Sequence, residues 1–289
     1  MQGGSGMNYS LNSWSFERYL GPLRLIEWDD KQKRQVVTTE TMPEETSLLG
    51  LLVRMGSNAY HSLELAYVHL KSRNDQTLRD IRHVAEVSKV ELASLLLDFG
   101  DLSSADPQRR TAELELYRKW IESAAQAGFS RVRIPAGDSS PDDRAALIRA
   151  AAGLSELAVY AADAGIRVVT ENLGGLLSNS ENCLRLIDLC QGKVGFTADF
   201  GNFDRNKYDQ LQEVIPIAET VHAKARLDAQ GRIDEVDFKK CLEICREAEF
   251  SGPFSLTYLG REDPWEKMNV MRTLSEALPT MSSPMDTIK

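Results

Sequence analysis

The chain has 289 residues, of which 42% are apolar and 27% are charged. This composition is typical of a globular protein with a core, and it excludes a disordered or fibrous chain. No continuous apolar run approaches the roughly 18 residues needed to span a bilayer, which argues against a membrane-spanning protein. The formal net charge of −9 disfavours general nucleic-acid binding, because an acidic chain repels phosphate backbones.

The N-terminal residues Met1 to Gly6 carry neither the cationic start nor the apolar core of a signal peptide. We interpret them as a leader before a native start at Met7, and we expect a cytoplasmic protein. All four cysteines lie at helical spacing within apolar stripes, which predicts free thiols facing the core rather than a zinc site. They are Cys183, Cys190, Cys241 and Cys245.

Eight short apolar segments, several of them rich in β-branched residues, predict the strands of a sheet that is covered on both faces. In chain order they are Tyr9–Trp14, Ser62–Ala66, Glu91–Leu97, Ser130–Pro135, Ile166–Glu171, Val194–Asp199, Thr220–Lys224 and Phe254–Tyr258.

Amphipathic stretches with helix-start signals separate these strands. The segment from Ser140 to Asp143 offers a capping hydroxyl, a proline and two acids, and the segment from Ser178 to Glu181 offers a capping box. The alternation predicts a (β/α)8 barrel, or TIM barrel, as a single domain over residues 7–278 with a flexible tail at 279–289. A doubly wound open sheet is the alternative, but no glycine-rich turn follows Trp14.

One segment interrupts the alternation. Two β-prone runs, residues 24–28 and 35–39, flank the polar residues 29–34, which predicts a β-hairpin between the first strand and its helix. In a barrel this loop lies at the catalytic end. The hairpin is either decoration or an oligomer contact, which we favour, or else a lid over the site.

Function in a barrel of this kind resides at the carboxyl ends of the strands. There the fifth strand ends in Glu171, the sixth ends in Asp199, and the seventh carries His222. Singly, each is explained as a helix cap or a packed core residue. Together, two carboxylates and an imidazole on three consecutive strands predict a site for a divalent metal such as Mn²⁺, Zn²⁺, Co²⁺ or Mg²⁺.

These motifs resemble the sugar phosphate isomerase/epimerase family, the xylose isomerase-like TIM barrels. The similarity rests on Thr170-Glu171-Asn172-Leu173-Gly174-Gly175, Asp199-Phe200-Gly201-Asn202-Phe203 and Val221-His222-Ala223-Lys224, with support from residues 9–16 and 251–260. The resemblance implies a metal held by Glu171, Asp199, His222 and a glutamate on the eighth strand. It also implies that the two glutamates exchange a proton at carbons beside a sugar carbonyl.

The chain departs from the family pattern at two positions. Thr257 stands where the eighth-strand glutamate belongs, and Leu173 stands where a histidine often follows the Glu-Asn pair. A threonine is no general base near neutral pH, and such a base contributes roughly 10²–10⁴-fold to a rate. Either one base suffices, or Lys224 or a metal-bound water supplies the second, or the chain has lost catalysis. Glu262, in the loop after the strand, is a further candidate.

Four other residues are predicted to bind substrate at the same rim: Trp14, Arg133, Asn172 and Thr257. Arg131 and Arg133 alternate along one strand, which is typical of an anion clamp or, equally, of a salt-bridge network. Lys224 shares the strand face of His222, so it is predicted to be an electrostatic or catalytic helper, with a salt bridge to Asp199 as the alternative.

The sequence therefore predicts a metal-dependent enzyme that isomerises or epimerises a sugar or sugar derivative, or eliminates from it, by removing a proton next to a carbonyl. Glu171 and Lys224 would be its catalytic residues. The alternative is a non-catalytic sugar-binding or regulatory barrel derived from such an enzyme. A repair nuclease ranks third, since four histidines and a net acidic charge suit it poorly. We expect a small sugar as partner, no nucleic acid or membrane, and leave a homodimer open.

Overall fold

The computed structural model describes residues 8–58 and 60–277, and within them eight parallel strands close into a barrel. The strands of the molecule are β1 (Tyr9–Asn12), β2 (Leu23–Asp29), β3 (Arg34–Glu40), β4 (Ser62–Ala66), β5 (Glu91–Leu96), β6 (Arg131–Arg133), β7 (Arg167–Glu171), β8 (Gly195–Asp199), β9 (Thr220–Lys224) and β10 (Phe254–Thr257). All except β2 and β3 belong to the barrel, in the spatial order β1-β10-β9-β8-β7-β6-β5-β4. The predicted (β/α)8 fold is confirmed, while the predicted leader and tail lie outside the described residues.

Helices follow the strands and cover the outside of the barrel. They are α1 (Leu48–Ser57), α2 (Asp75–Ser88), α3 (Pro107–Ala127), α4 (Arg144–Asp163), α5 (Ser180–Leu189), α6 (Lys207–Val214), α7 (Glu235–Glu247) and α8 (Pro264–Glu276). Every residue of β8 is buried, as expected for a parallel strand packed on both faces. The four cysteines are free and buried, as predicted, and desolvation raises the pKa of each thiol.

The predicted caps of α4 and α5 lie slightly before the observed caps. We predicted Ser140 as the cap of α4, but the helix begins at Arg144, because the Asp143 carboxylate accepts a hydrogen bond from the Ala146 N–H at 2.9 Å and caps the helix there. By the same mechanism α5 is capped by Asn179, whose side chain accepts from the Asn182 N–H at 2.8 Å. A carboxylate or amide nearer the first turn thus replaced the serine as the cap.

Helix α4 is long and apolar enough to cross a membrane, the only such helix in the described ranges. Its alanine and leucine face, including Leu147, Leu154 and Leu157, is buried. Packing inside the protein therefore accounts for its apolar composition.

The predicted hairpin is present as β2 and β3, antiparallel from the Leu23–Glu40 pair to the Asp29–Arg34 pair. It packs on the outside of the barrel: the Lys33 ammonium lies 3.0 Å from Asp106, the residue that caps α3. The Ile26 N–H also donates to the Tyr67 hydroxyl at 3.2 Å.

Candidate metal centre

Three neighbouring strands bring the predicted ligands to one point. In the sheet register Asp199 on β8 pairs with His222 on β9, and Glu171 on β7 pairs with Thr197, two residues before Asp199. One ligand atom from each of Glu171, Asp199 and His222 lies within 4.8 Å of the other two. The convergence follows from parallel strands that end at the same edge of the barrel.

The imidazole lies between the two acids. His222 Nδ1 is 3.1 Å from Glu171 Oε1 and 3.7 Å from Asp199 Oδ2. Each of the three residues is at most 3% exposed, so their charges interact with little screening by solvent. Two carboxylate oxygens and one imidazole nitrogen at this spacing are a donor set that fits a divalent metal ion.

The electrostatics of the cluster favour its charged forms. Burial alone would lower the pKa of His222, but the carboxylates of Glu171 and Glu64 outweigh it and raise that pKa well above 6.5. Burial opposes ionisation of Asp199 as well, yet the bond from His222 and the charge of Lys224 leave its pKa below 3.8. A bound dication would take the place of the proton on His222.

Glu64 contacts this cluster, and the sequence analysis missed it. It lies on β4, across the barrel, is 2% exposed, and places Oε2 at 2.7 Å from His222 Nε2. A lone carboxylate inside the apolar run Ser62-Leu63-Glu64-Leu65-Ala66 was the available signal, because an acid is rarely buried without a partner.

Arg133 is enclosed by acids. Its guanidinium pairs with Asp98, and its Nε lies 3.1 Å from Glu171 Oε2. Burial would lower the pKa of Arg133, but Asp98 and Glu171 together raise it. Asp98 in turn accepts a hydrogen bond from the Trp14 indole at 3.0 Å. Arg133 thus belongs to a network of salt bridges with Asp98 and Glu171, and a hydrogen bond extends this network to Trp14.

Arg131, which we considered as half of an anion clamp, lies away from this network. Its Nε is 3.9 Å from Glu219, a residue that precedes β9 and therefore lies at the opposite end of the barrel. Arg167, the first residue of β7, also binds Glu219 there, at 2.7 Å. Arg131 and Arg133 therefore lie at opposite ends of the barrel and do not form an anion clamp together.

Asn172 ties the ends of β7 and β8 together. Its amide nitrogen donates to the Asp199 carbonyl at 3.0 Å, and its amide oxygen accepts from the Asp199 N–H at 2.7 Å. The side chain is fully buried, so it positions Asp199 through the backbone.

Lys224 reaches the site through Asn202. The ammonium donates to Asn202 Oδ1 at 3.1 Å, and Asn202 Nδ2 donates to Glu171 Oε1 at the same distance. Gly201 makes room for this arrangement, since a Cβ there would lie 2.9 Å from Lys224 Cδ. Asn202 had been named only as part of a motif, so its bond to Glu171 is a new finding.

Thr257 leaves the eighth strand without a carboxylate. Its side chain is buried and its hydroxyl donates to the Ser255 carbonyl at 3.4 Å. Glu262, the candidate from the following loop, is engaged by Lys267 at 2.8 Å instead.

A cavity of about 280 Å³ lies above the cluster, close to the lower end of the roughly 300–1,000 Å³ usual for small-molecule sites. Its walls mix polar groups with three large apolar side chains. They are Asn12, Trp14, Glu17, Asp98, Glu171, Leu173, Asp199, Asn202, His222, Lys224, Thr257 and Leu259. No described residue of the hairpin is among them. Lys224 also lines a second cavity of about 570 Å³.

Comparisons with known proteins agree with this architecture. A family model described as the xylose isomerase-like TIM barrel matches residues 51–274. No curated protein matches the sequence significantly.

Several solved structures superpose on the chain. A D-tagatose 3-epimerase-like protein does so with a TM-score of 0.66 at 17% identity, over 93% of this chain and 97% of that one. A xylose isomerase-like TIM barrel protein from Mycobacterium smegmatis, in complex with magnesium, has a TM-score of 0.64 at 16% identity, over 96% and 100% of the two chains. A probable 3-DHS dehydratase from Bacillus anthracis has a TM-score of 0.63 at 14% identity, over 94% and 98%.

At these identities the superpositions establish the shared fold alone. The family model, in contrast, spans most of the sequence. The three strand-end residues that the sequence analysis predicts to meet, Glu171, Asp199 and His222, do meet. The chain therefore belongs to the family of xylose isomerase-like TIM barrels.

Proposed function

We propose that this protein is a metal-dependent enzyme of the isomerase and epimerase type, acting on a sugar or sugar derivative by removing a proton next to a carbonyl. The observation that carries the proposal is the buried cluster of Glu171, Asp199 and His222, with ligand atoms within 4.8 Å of one another under an open cavity. A dication bound there would polarise a substrate carbonyl.

The walls of the cavity suit a polyol. Asn12, Asn202 and Thr257 offer neutral donors and acceptors for hydroxyl groups, while the indole of Trp14 offers an apolar face for the carbons of a sugar. Similar structures include a D-tagatose 3-epimerase-like protein and a probable 3-DHS dehydratase, which supports the proposed class of reaction. The chemical class is thus better supported than any one substrate.

The chain's own residues have separate tasks in this proposal. Glu171 is a metal ligand and a base for the substrate proton, and Asp199 and His222 are ligands. Lys224, held by Asn202 at the rim, faces the substrate oxygen that gains negative charge. Arg133 and Asn172 act by fixing Glu171 and Asp199. A cytoplasmic location is part of the proposal and agrees with four unpaired cysteines.

Deuterium exchange tests this chemistry without knowledge of the product. D-psicose, D-tagatose or D-fructose is incubated in D₂O with Mn²⁺ and the protein, and carbon-bound deuterium is measured by mass spectrometry. Glu171→Gln should abolish metal-dependent incorporation while the fold is retained. Glu113→Gln is the matched control, because Glu113 is a buried glutamate of α3 outside the site. Equal incorporation by wild type and Glu171→Gln would exclude Glu171 as the base.

A second function is favoured by Thr257 and Leu173, which supply no carboxylate and no imidazole to the cavity. A sugar-binding or regulatory barrel needs neither. Such a protein would bind a sugar, detected by calorimetry, and would incorporate no deuterium. Metal-dependent incorporation would exclude it.

A further inference from the structure

We propose that Glu64 is a positioning residue that holds the His222 ring with Nδ1 directed at the metal site. This inference rests on the proposed function, because it assigns a role within the same metal centre. It concerns a strand on the far side of the barrel that carries none of the three ligands.

The location of Glu64 requires an explanation. Burying an unpaired carboxylate costs several kcal/mol, so a glutamate persists inside a barrel only where a partner holds it. Among the described residues, His222 is the one basic group within 4 Å of Glu64. Arg133, the other cation of the interior, is paired with Asp98 and Glu171.

The ring of His222 has two distinct environments. Nδ1 faces the oxygens of Glu171 and Asp199, at 3.1 and 3.7 Å, while Nε2 faces Glu64 at 2.7 Å. The latter contact is a close ion pair, and neither of its two atoms has a hydrogen-bond partner in the described part of the chain. The two nitrogens therefore serve different partners.

Both ring nitrogens face carboxylates, and Nδ1 forms a hydrogen bond with Glu171 at 3.1 Å. A metal-bound imidazole uses the lone pair of one nitrogen, and its proton lies on the other. If an ion took the place of the proton on Nδ1, the remaining proton would lie on Nε2, beside the Glu64 carboxylate, which would stabilise it there and hold the ring. Outer carboxylates of this kind orient metal-binding histidines, and their loss weakens metal binding about 10- to 100-fold.

The role of Thr257 increases the importance of this orientation. With a threonine on the eighth strand, the cluster offers two carboxylates and one imidazole to an ion. A misdirected ring would remove one of three protein donors. The described residues supply three ligands at this point, so metal binding depends on Glu64 keeping the third, His222, directed at the ion.

Calorimetric titration with Mn²⁺ tests the proposal on the full-length wild type, Glu64→Gln and Glu113→Gln. The glutamine keeps the shape of Glu64, but its amide can present either a donor or an acceptor to Nε2 and so does not fix the ring proton. We expect the Mn²⁺ Kd of Glu64→Gln to rise about 10- to 100-fold, and that of Glu113→Gln to stay within about twofold of wild type. Equal Kd values for all three proteins would overturn the role of Glu64.

A second measurement needs no change at Glu64. In Zn²⁺-loaded wild type, long-range ¹H–¹⁵N NMR of the four histidine rings reports which nitrogen carries the proton. We expect His222 to be protonated at Nε2, and a proton at Nδ1 would refute the proposal even if Glu64→Gln failed to fold. If the wild type binds neither Mn²⁺ nor Zn²⁺, the proposed function and this inference are both rejected. Equal Mn²⁺ Kd values for the three proteins, or a proton on Nδ1, would reject the inference alone.

Discussion

The stability of this protein in mild acid should be governed by one buried histidine behind the cavity wall. His69 is 3% exposed; its Nδ1 lies 2.9 Å from the Ser13 hydroxyl, and its ring packs edge-on against Trp14 at 5.7 Å. Desolvation lowers its pKa from 6.5 to about 4, against a smaller opposing effect of Asp98. The folded protein therefore keeps His69 neutral where the unfolded chain protonates it.

The sign and size of the effect follow from linkage. Between pH 6.5 and about 4 the unfolded state binds the extra proton, so the free energy of unfolding falls as the pH falls. The full difference of roughly 2.5 pKa units at 1.36 kcal/mol each is about 3 kcal/mol. About 2 kcal/mol of this should be lost between pH 7 and 4.5.

The ionisable groups at the metal centre change the stability mainly outside this pH interval. The pKa of His222 is raised, so its contribution is complete below 6.5 and is lost only as the pH rises through the higher folded value. The pKa values of Asp199 and Glu64 are lowered, so their contributions are present above the unfolded values of 3.8 and 4.5 and are lost below them.

The assay is urea unfolding followed by tryptophan fluorescence at pH 7 and at pH 4.5. His69→Phe keeps an aromatic ring but cannot bind a proton, so its loss between the two pH values should be smaller than that of wild type by about 2 kcal/mol. His83→Gln, at an exposed position on α2, should lose as much as wild type. The reasoning fails if His69→Phe and wild type lose equal stability.

Three further predictions concern the metal centre. Thr257→Glu places a third carboxylate in the cavity and should lower the Mn²⁺ Kd at least about tenfold, or about 1.4 kcal/mol; an unchanged Kd in calorimetry would show that position 257 does not face the ion. Arg133→Leu leaves Glu171 and Asp98 without their shared guanidinium and should cost about 3–5 kcal/mol in urea unfolding at pH 7. Because the pKa of His222 is raised and the ion must displace its proton, the apparent Mn²⁺ Kd should rise about tenfold per pH unit below that pKa, with about one proton released per ion; a Kd that is flat from pH 6 to 7 would contradict the role of His222 as a ligand.

The lack of an eighth-strand carboxylate is the feature that most affects the choice between an enzyme and a binding protein. Thr257 turns its hydroxyl to the Ser255 carbonyl, and Glu262 in the next loop is bound by Lys267. Neither therefore provides a second base at the cavity in this arrangement. In the proposed reaction, Lys224, which lines the cavity and donates to Asn202, would be the group that assists Glu171.

The sequence determined the architecture because local patterns encode it. Most barrel strands lie in short segments rich in apolar residues, such as those of β4, β5 and β8, and helices follow the strands along the chain. The alternation of eight such pairs has few other solutions. The residues Glu171, Asp199 and His222 could be chosen for the same reason, since the ends of parallel strands share one edge and sequence position alone identifies the strand end.

Tertiary structure alone decided which side chains meet across the barrel. Glu64 reaches His222 from the other side of the barrel because closure of the sheet brings distant strands face to face. Arg133 on β6 joins Asp98, which follows the neighbouring strand β5, to Glu171 on the other neighbouring strand, β7. Asn172, predicted to bind substrate, turns its amide to the backbone of Asp199 instead. Such contacts depend on the stagger of the strands and on side-chain rotamers, which no local pattern records.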